Sequence, residues 1–259
     1  MTSEAEVPSA DESIAVLHRL LGIWHARDGG AGIPLLDGTP MPGIAIHVQV
    51  EHIAELTASV IELIRSNIYL STAPLIRLSL ECAVNAVWWA SDPTGVRASV
   101  HEAARQSRHL ASAMARLRPD APADTASIDR ILSANADFVK TEARVFERRC
   151  RAIPDGQRLY TYYRILSEAS HGGVPLLNEY SRQVPATTSN PEGVELVQRP
   201  HYDHLEFALG TQVISFALAL AAWDSVLPSH PDEAELYELA DSIGLGGMLR
   251  RATGRAATA

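Results

Sequence analysis

Cysteine, lysine and aromatic residues are scarce in this chain, and each scarcity removes a class of protein. The only cysteines are Cys82 and Cys150. One pair cannot make a disulfide scaffold, and neither cysteine has a metal-type spacing. Cys82 lies in an apolar stretch and is expected to be a small core residue in a reducing compartment. Lysine occurs once, at Lys140, against twenty-one arginines; this imbalance reads as GC-rich coding, not as chemistry. Aromatics are only 6% of the residues, whereas alanine and leucine are abundant, which favours helix over sheet.

Familiar motifs are missing too. There is no G-x-x-x-x-G-K-S/T loop, dinucleotide fingerprint, G-x-S-x-G elbow or H-E-x-x-H. Nucleotide-driven work, hydride transfer on a Rossmann fold and common hydrolase chemistry therefore have no support. The N-terminal MTSEAEVPSADE has neither a basic region nor an apolar run, so no secretory signal is expected and the cytoplasm is the expected location. The longest apolar run, Phe207 to Trp223, is interrupted by Thr211, Gln212 and Ser215. At about 17 residues it falls at the short limit of a membrane span, and a buried helix with no membrane partner is expected.

The formal net charge of -9 is unevenly spread. Both ends are acidic, but Arg97 to Arg164 holds thirteen basic and eight acidic residues, a local balance of +5. The overall sign argues against a general nucleic-acid binder, while the local balance leaves room for a basic patch.

With 259 residues, 46% of them hydrophobic, the chain can fill one large core. No internal repeat or composition shift marks a boundary. The expected fold is all-α: one helical bundle of seven or eight helices over 11–252, with a disordered tail at 1–10 and a frayed tail at 253–259. Helices are expected over 11–26, 44–70, 74–91, 95–117, 125–150, 158–173, 202–226 and 232–251, the last broken near Gly244, Gly246 and Gly247. In the fourth, Val100, Ala103, Leu110, Met114 and Leu117 are expected inward; in the fifth, Ile128, Ile131, Leu132, Val139 and Phe146. The Gly/Pro-rich 28–43 and the turn 118–123 read as loops. The stretch 174–200, with four prolines, is expected to be a long irregular segment in which Glu179–Val184 and Val194–Gln198 can pair as a small hairpin around TTSNPEG. Trp88 and Trp89 are expected in the core.

The stretch Tyr160 to Gly173, YTYYRILSEASHGG, nominates a site. On a helical wheel Tyr160, Arg164, Ser167 and His171 fall within roughly 60° of one another. Arg164 and His171 are two turns apart, about 10 Å along the axis. This spacing resembles the HEPN superfamily of small helical bundles found in toxins and defence systems. Its members carry an Arg, four to six residues and then a His near the end of a late helix. Ile165 stands where the nuclease members usually have a polar residue. The resemblance implies metal-independent RNA cleavage or RNA or nucleotide binding, no cofactor, and a homodimer. His171 would then be general acid/base and Arg164 the phosphate ligand, with Tyr160 and Ser167 orienting them. The chain also resembles uncharacterised bacterial helical proteins with an R-x-x-L/S-L-E helix, here Arg77 to Glu81, and a Y-x-x-L-S-x-x-x-H-G segment, here Tyr163 to Gly172.

A second reading is structural. Arg77, Glu81, Ser167 and His171, supported by Tyr163 and Glu168, would form a polar cluster locking two helices in a non-catalytic or partner-binding module. A third uses Glu168 and His171, an E-x-x-H, as half of a helical-bundle metal site. Three further groups read more plainly. His201, Tyr202, Asp203 and His204 open a helix, where Asp203 suits the dipole. His101, Glu102, Arg105 and His109 read as a solvated face. Arg148, Arg149 and Arg151 complement a helix C-terminus.

Overall fold

The computed structural model describes residues 8–26, 40–118, 125–171, 173–200, 202–227 and 232–252. The order is α1 (Ala10–His25), α2 (Pro40–Arg65), α3 (Thr72–Ser91), α4 (Gly95–Leu117), α5 (Ala126–Ala134), a 3-10 turn (Ala136–Phe138), α6 (Thr141–Arg144) and α7 (Phe146–Arg151). Then come α8 (Gly156–Ser170), α9 (Val174–Glu179), β1 (Ser181–Gln183), β2 (Val194–Leu196), α10 (Leu205–Ser225), α11 (Glu233–Ser242) and α12 (Gly246–Ala252). The all-α expectation holds, and the small antiparallel hairpin is present, with Arg182 opposite Glu195.

Local chemistry sets the helix ends. Ser9 and Glu12 close a capping box on α1. The chain is therefore ordered before residue 11, although 1–7 lie outside the described residues. α2 stops at Arg65, short of the expected Leu70. Asn67 takes a left-handed φ of 56° there. The Ile68 and Asn67 amides then donate to the carbonyls of Leu63 and Ile64, a Schellman closure. Asp92, extended before Pro93, ends α3.

The core is a layer of α2, α3 and α10, with α1 across α2 and α10 and α8 against α3. Ile46, Val50, Ile53, Val60, Ile76, Leu80, Trp88 and Phe216 fill it. Trp89 and Cys82 are buried as expected. α10 is long and apolar enough to cross a membrane by length and composition, and 78% of its apolar window is buried in the bundle. α11 and α12 are separated around Gly244, which takes a φ of 74°.

Three expectations need correction. The single helix over 125–150 is a broken path of α5, the 3-10 turn, α6 and α7. Its breaks fall at extended Val139, Lys140 and Val145, where β-branched side chains disfavour helix and tertiary bonds hold the neighbouring segments. Ala103, Leu110, Met114, Leu117, Ile131 and Val139 are exposed rather than inward; α4 has no buried residue beyond Ala104, and α5 has none. The segment after Gly173 begins with a helix, α9, on which Pro175 is accommodated in the first turn. Residues 40–43, expected in the loop 28–43, form the first turn of α2, while 28–39, the turn 119–123 and the tail 253–259 lie outside the described residues.

Candidate functional site

The polar seam of the bundle runs along α3, where Arg77, Glu81 and Asn85 recur one helical turn apart and stack on one face. α8 packs against this face because Leu159 and Leu166 are buried there, which brings Tyr163 and Ser167 to Arg77. Arg77 is the hub. Its Nε donates to Ser167 Oγ at 3.0 Å, its Nη2 donates to the Tyr163 hydroxyl, and its Nη2 lies 3.1 Å from Glu81 Oε1. The guanidinium also sits over the Tyr163 ring, 4.5 Å from its centroid. Ser167 Oγ in turn donates to the Tyr163 carbonyl at 2.7 Å. Phe146 of α7 and Tyr160 close the aromatic side, with ring centroids 4.4 Å and 6.1 Å from Tyr163.

Arg149 extends the seam. Its Nε and Nη2 donate to the carbonyls of Glu142 and Ala143 at 3.0 and 2.7 Å, and its Nη1 donates to Asn85 Oδ1. It thereby satisfies carbonyls at the end of α6 and ties α6 and α7 to α3. Burial pushes its guanidinium below the usual arginine value. In the sequence Arg149 looked like one cation of a basic helix end. No periodicity distinguishes it from its exposed neighbours Arg148 and Arg151.

The expected line Tyr160, Arg164, Ser167, His171 divides. Ser167 faces Arg77 and Tyr160 is half-buried against the core, whereas Arg164 is exposed. Arg164 makes no hydrogen bond or ion pair among the described residues. His171 is the C-cap of α8, with extended φ and ψ of -109° and 137°, so the helical wheel no longer places it. It is exposed, and it is not part of the Arg77 cluster in which the structural reading set it. Glu168 is exposed as well, and no group of three or more His, Cys, Asp or Glu residues among the described residues is placed to hold a metal.

The remaining groups also find places. Glu102 is buried rather than solvated, because α4 packs on α6 at that level. Arg105 donates to it twice, at 2.6 and 2.7 Å, and Gln106 once. The hydrogen bonds from Arg105 draw its carboxyl down to about 2. Tyr202 is buried, and burial raises its phenol to about 12; His201 lies outside the described residues. An open cavity of about 540 Å³ at the end of α3 is lined by Trp88, Ser91, Asp92, Lys140, Thr141 and Glu142 among others. Lys140 pairs there with Asp92. Burial opposes the charge of Asp92, but bonds from Lys140 and Thr94 outweigh it and hold the carboxyl below its ordinary value.

Comparison of the chain with protein-family models, with curated proteins and with solved structures finds no match.

Proposed function

We propose that this protein is a helical-bundle module that holds a phosphate-bearing ligand, RNA or a nucleotide, through Arg164 and His171 at the end of α8. The observation that carries this reading is the division of polar groups on α8. Tyr163 and Ser167 are committed to Arg77, whereas Arg164 and His171 are exposed and uncommitted among the described residues. An uncommitted guanidinium can take a phosphate through two parallel N–H bonds. An exposed imidazole can move the proton of a 2′-hydroxyl. In a cleaving protein His171 takes that proton as the 2′-oxygen bonds to phosphorus, the bond from phosphorus to the 5′-oxygen breaks and that oxygen is protonated by an imidazolium, while Arg164 holds the phosphate charge; a homodimer supplies two such pairs.

The test uses labelled single-stranded RNA and the full chain. Fluorescence anisotropy reads binding, and gel analysis reads cleavage. Arg164→Ala is expected to weaken binding by about tenfold, the loss of one charge-assisted pair. His171→Ala is expected to abolish any cleavage, and both variants should keep the wild-type melting temperature. Wild-type protein that neither binds nor cleaves, or variants that match it, would sink this reading.

The second reading is a non-catalytic, partner-binding module. The Arg77 hub favours it, because its bonds to Ser167 and Tyr163 join α3 to α8 and Glu81 holds the same guanidinium from within α3. It predicts Arg164→Ala and His171→Ala proteins that are indistinguishable from wild type in every chemical assay.

A further inference from the structure

We infer that the outer face of the α4–α5 hairpin docks an acidic amphipathic helix of a partner protein. All the buried residues of α4 lie in its first half, ending at Ala104, and α5 has none. Beyond Ala104, α4 runs free of the core for about 20 Å at roughly 1.5 Å per residue. α5 packs principally against α4, and Arg108 and Asp129 pair across the two at 3.1 Å. Two helices side by side cover one apolar face each and leave the outer one without a layer.

That outer face is a patterned surface. Leu110, Met114 and Leu117 recur at i, i+4 and i+7, so they form one stripe. They are 64%, 46% and 77% exposed, and Ile131 of α5 is 41% exposed. A stripe of large exposed side chains at helical spacing is a ridged face against which a further amphipathic helix can pack.

Charge selects the occupant. His109 and Arg116 fall on one side of the stripe, about 80–100° round the helix from Leu117. Arg116, Arg118 and Arg130 are exposed and have no carboxylate partner among the described residues. This basic margin stands on a chain whose net charge is -9. A second copy would bring the same arginines to the same stripe. A broad anionic membrane would meet the acidic remainder of the molecule. A single acidic helix is narrow enough to feel only the local field, since screening acts over about 8–10 Å.

The proposal is tested with the full chain and a synthetic amphipathic helix of about five turns, leucine on one face and glutamate on the other. The comparison probes are its lysine-for-glutamate twin and vesicles of phosphatidylserine with phosphatidylcholine. The glutamate helix is expected to bind, and the lysine twin to bind at least about tenfold more weakly. Replacing Leu110, Met114 and Leu117 together by Ser should weaken binding by about tenfold or more, with circular dichroism and melting temperature kept because the three are exposed. Arg116→Glu should narrow or reverse the preference between the two peptides. Arg164→Ala should leave peptide binding unchanged, so this result is independent of RNA binding at α8. Equal affinity for both peptides, or no binding of the glutamate helix, overturns the proposal. So does vesicle binding, or a dimer seen by sedimentation, that the triple substitution abolishes.

Discussion

Arg77 and Arg164 carry the same guanidinium into opposite surroundings. Arg77 is enclosed by Ser167, Tyr163 and Glu81, and Arg164 points into solvent one residue along α8 from Tyr163. Removing Arg77 leaves a carboxylate and two hydroxyls without their donor. Charge-assisted hydrogen bonds of this kind, here partly exposed to solvent, suggest a cost of about 2 kcal/mol for Arg77→Ala. Removing the side chain of Arg164 or His171 breaks no hydrogen bond or ion pair among the described residues, so each should change stability by less than about 0.5 kcal/mol. Urea unfolding of the three variants separates them. An Arg77→Ala protein as stable as wild type would show that the seam does not hold α3 to α8. The residue types of the seam were legible in the R-x-x-L/S-L-E and Y-x-x-L-S patterns. The side each one faces was not, because the helix end that frees His171 is set by backbone geometry around Ser170 and His171.

At the scale of elements, the α7–α8 corner decides where the candidate site stands. Gly156 begins α8 directly after left-handed Asp155. A Cβ on Gly156 would lie 1.8 Å from the Cys150 carbonyl oxygen, so no side chain fits without moving the corner. Gly156→Ala should therefore cost about 2 kcal/mol or more and lower the melting temperature. Gly22, inside α1, has nothing within 4 Å of its added Cβ. Gly22→Ala should stabilise by about 0.5–1 kcal/mol, since alanine gives up less backbone freedom in a helix. Thermal unfolding of the two variants should move in opposite directions. The long helices α1, α3, α4 and α10 were legible from apolar period and stop signals, and α2 from its apolar period but not at its ends. The breaks among α5, α6 and α7 were not, because Arg97 bonding at the end of α5 and Arg149 bonding at the end of α6 arise only after folding.

For the whole molecule, acid is the informative variable. Glu102 is ionised in a buried place through Arg105, and its carboxyl falls from an ordinary 4.5 to about 2. A depressed folded value stabilises the protein above the unfolded value. That contribution is lost as the pH falls from 4.5 towards 2. Asp92 is lowered as well, through Lys140 and Thr94, so both act in the same direction. Glu102→Gln should remove part of the acid sensitivity, and its unfolding free energy should fall less than wild type between those two pH values. Parallel curves for the two proteins would show that the Glu102–Arg105 pair is not linked to folding.

Composition and apolar period by themselves determined an all-α bundle with a central α3 and a buried α10, because a helix apolar nearly all round can be satisfied only inside other helices. The R-x-x-L/S-L-E and Y-x-x-L-S-x-x-x-H-G patterns brought Arg77, Glu81, Tyr163, Ser167 and His171 forward as one group. Only the tertiary structure decided which polar residues are spent on packing and which remain free. Arg149 became half-buried and Glu102 buried, and His171 and the Leu110–Met114–Leu117 stripe became exposed. The reason is that a helix's own period fixes relative directions around its axis, while the neighbours it meets, and the point at which it leaves them, fix which direction is inside.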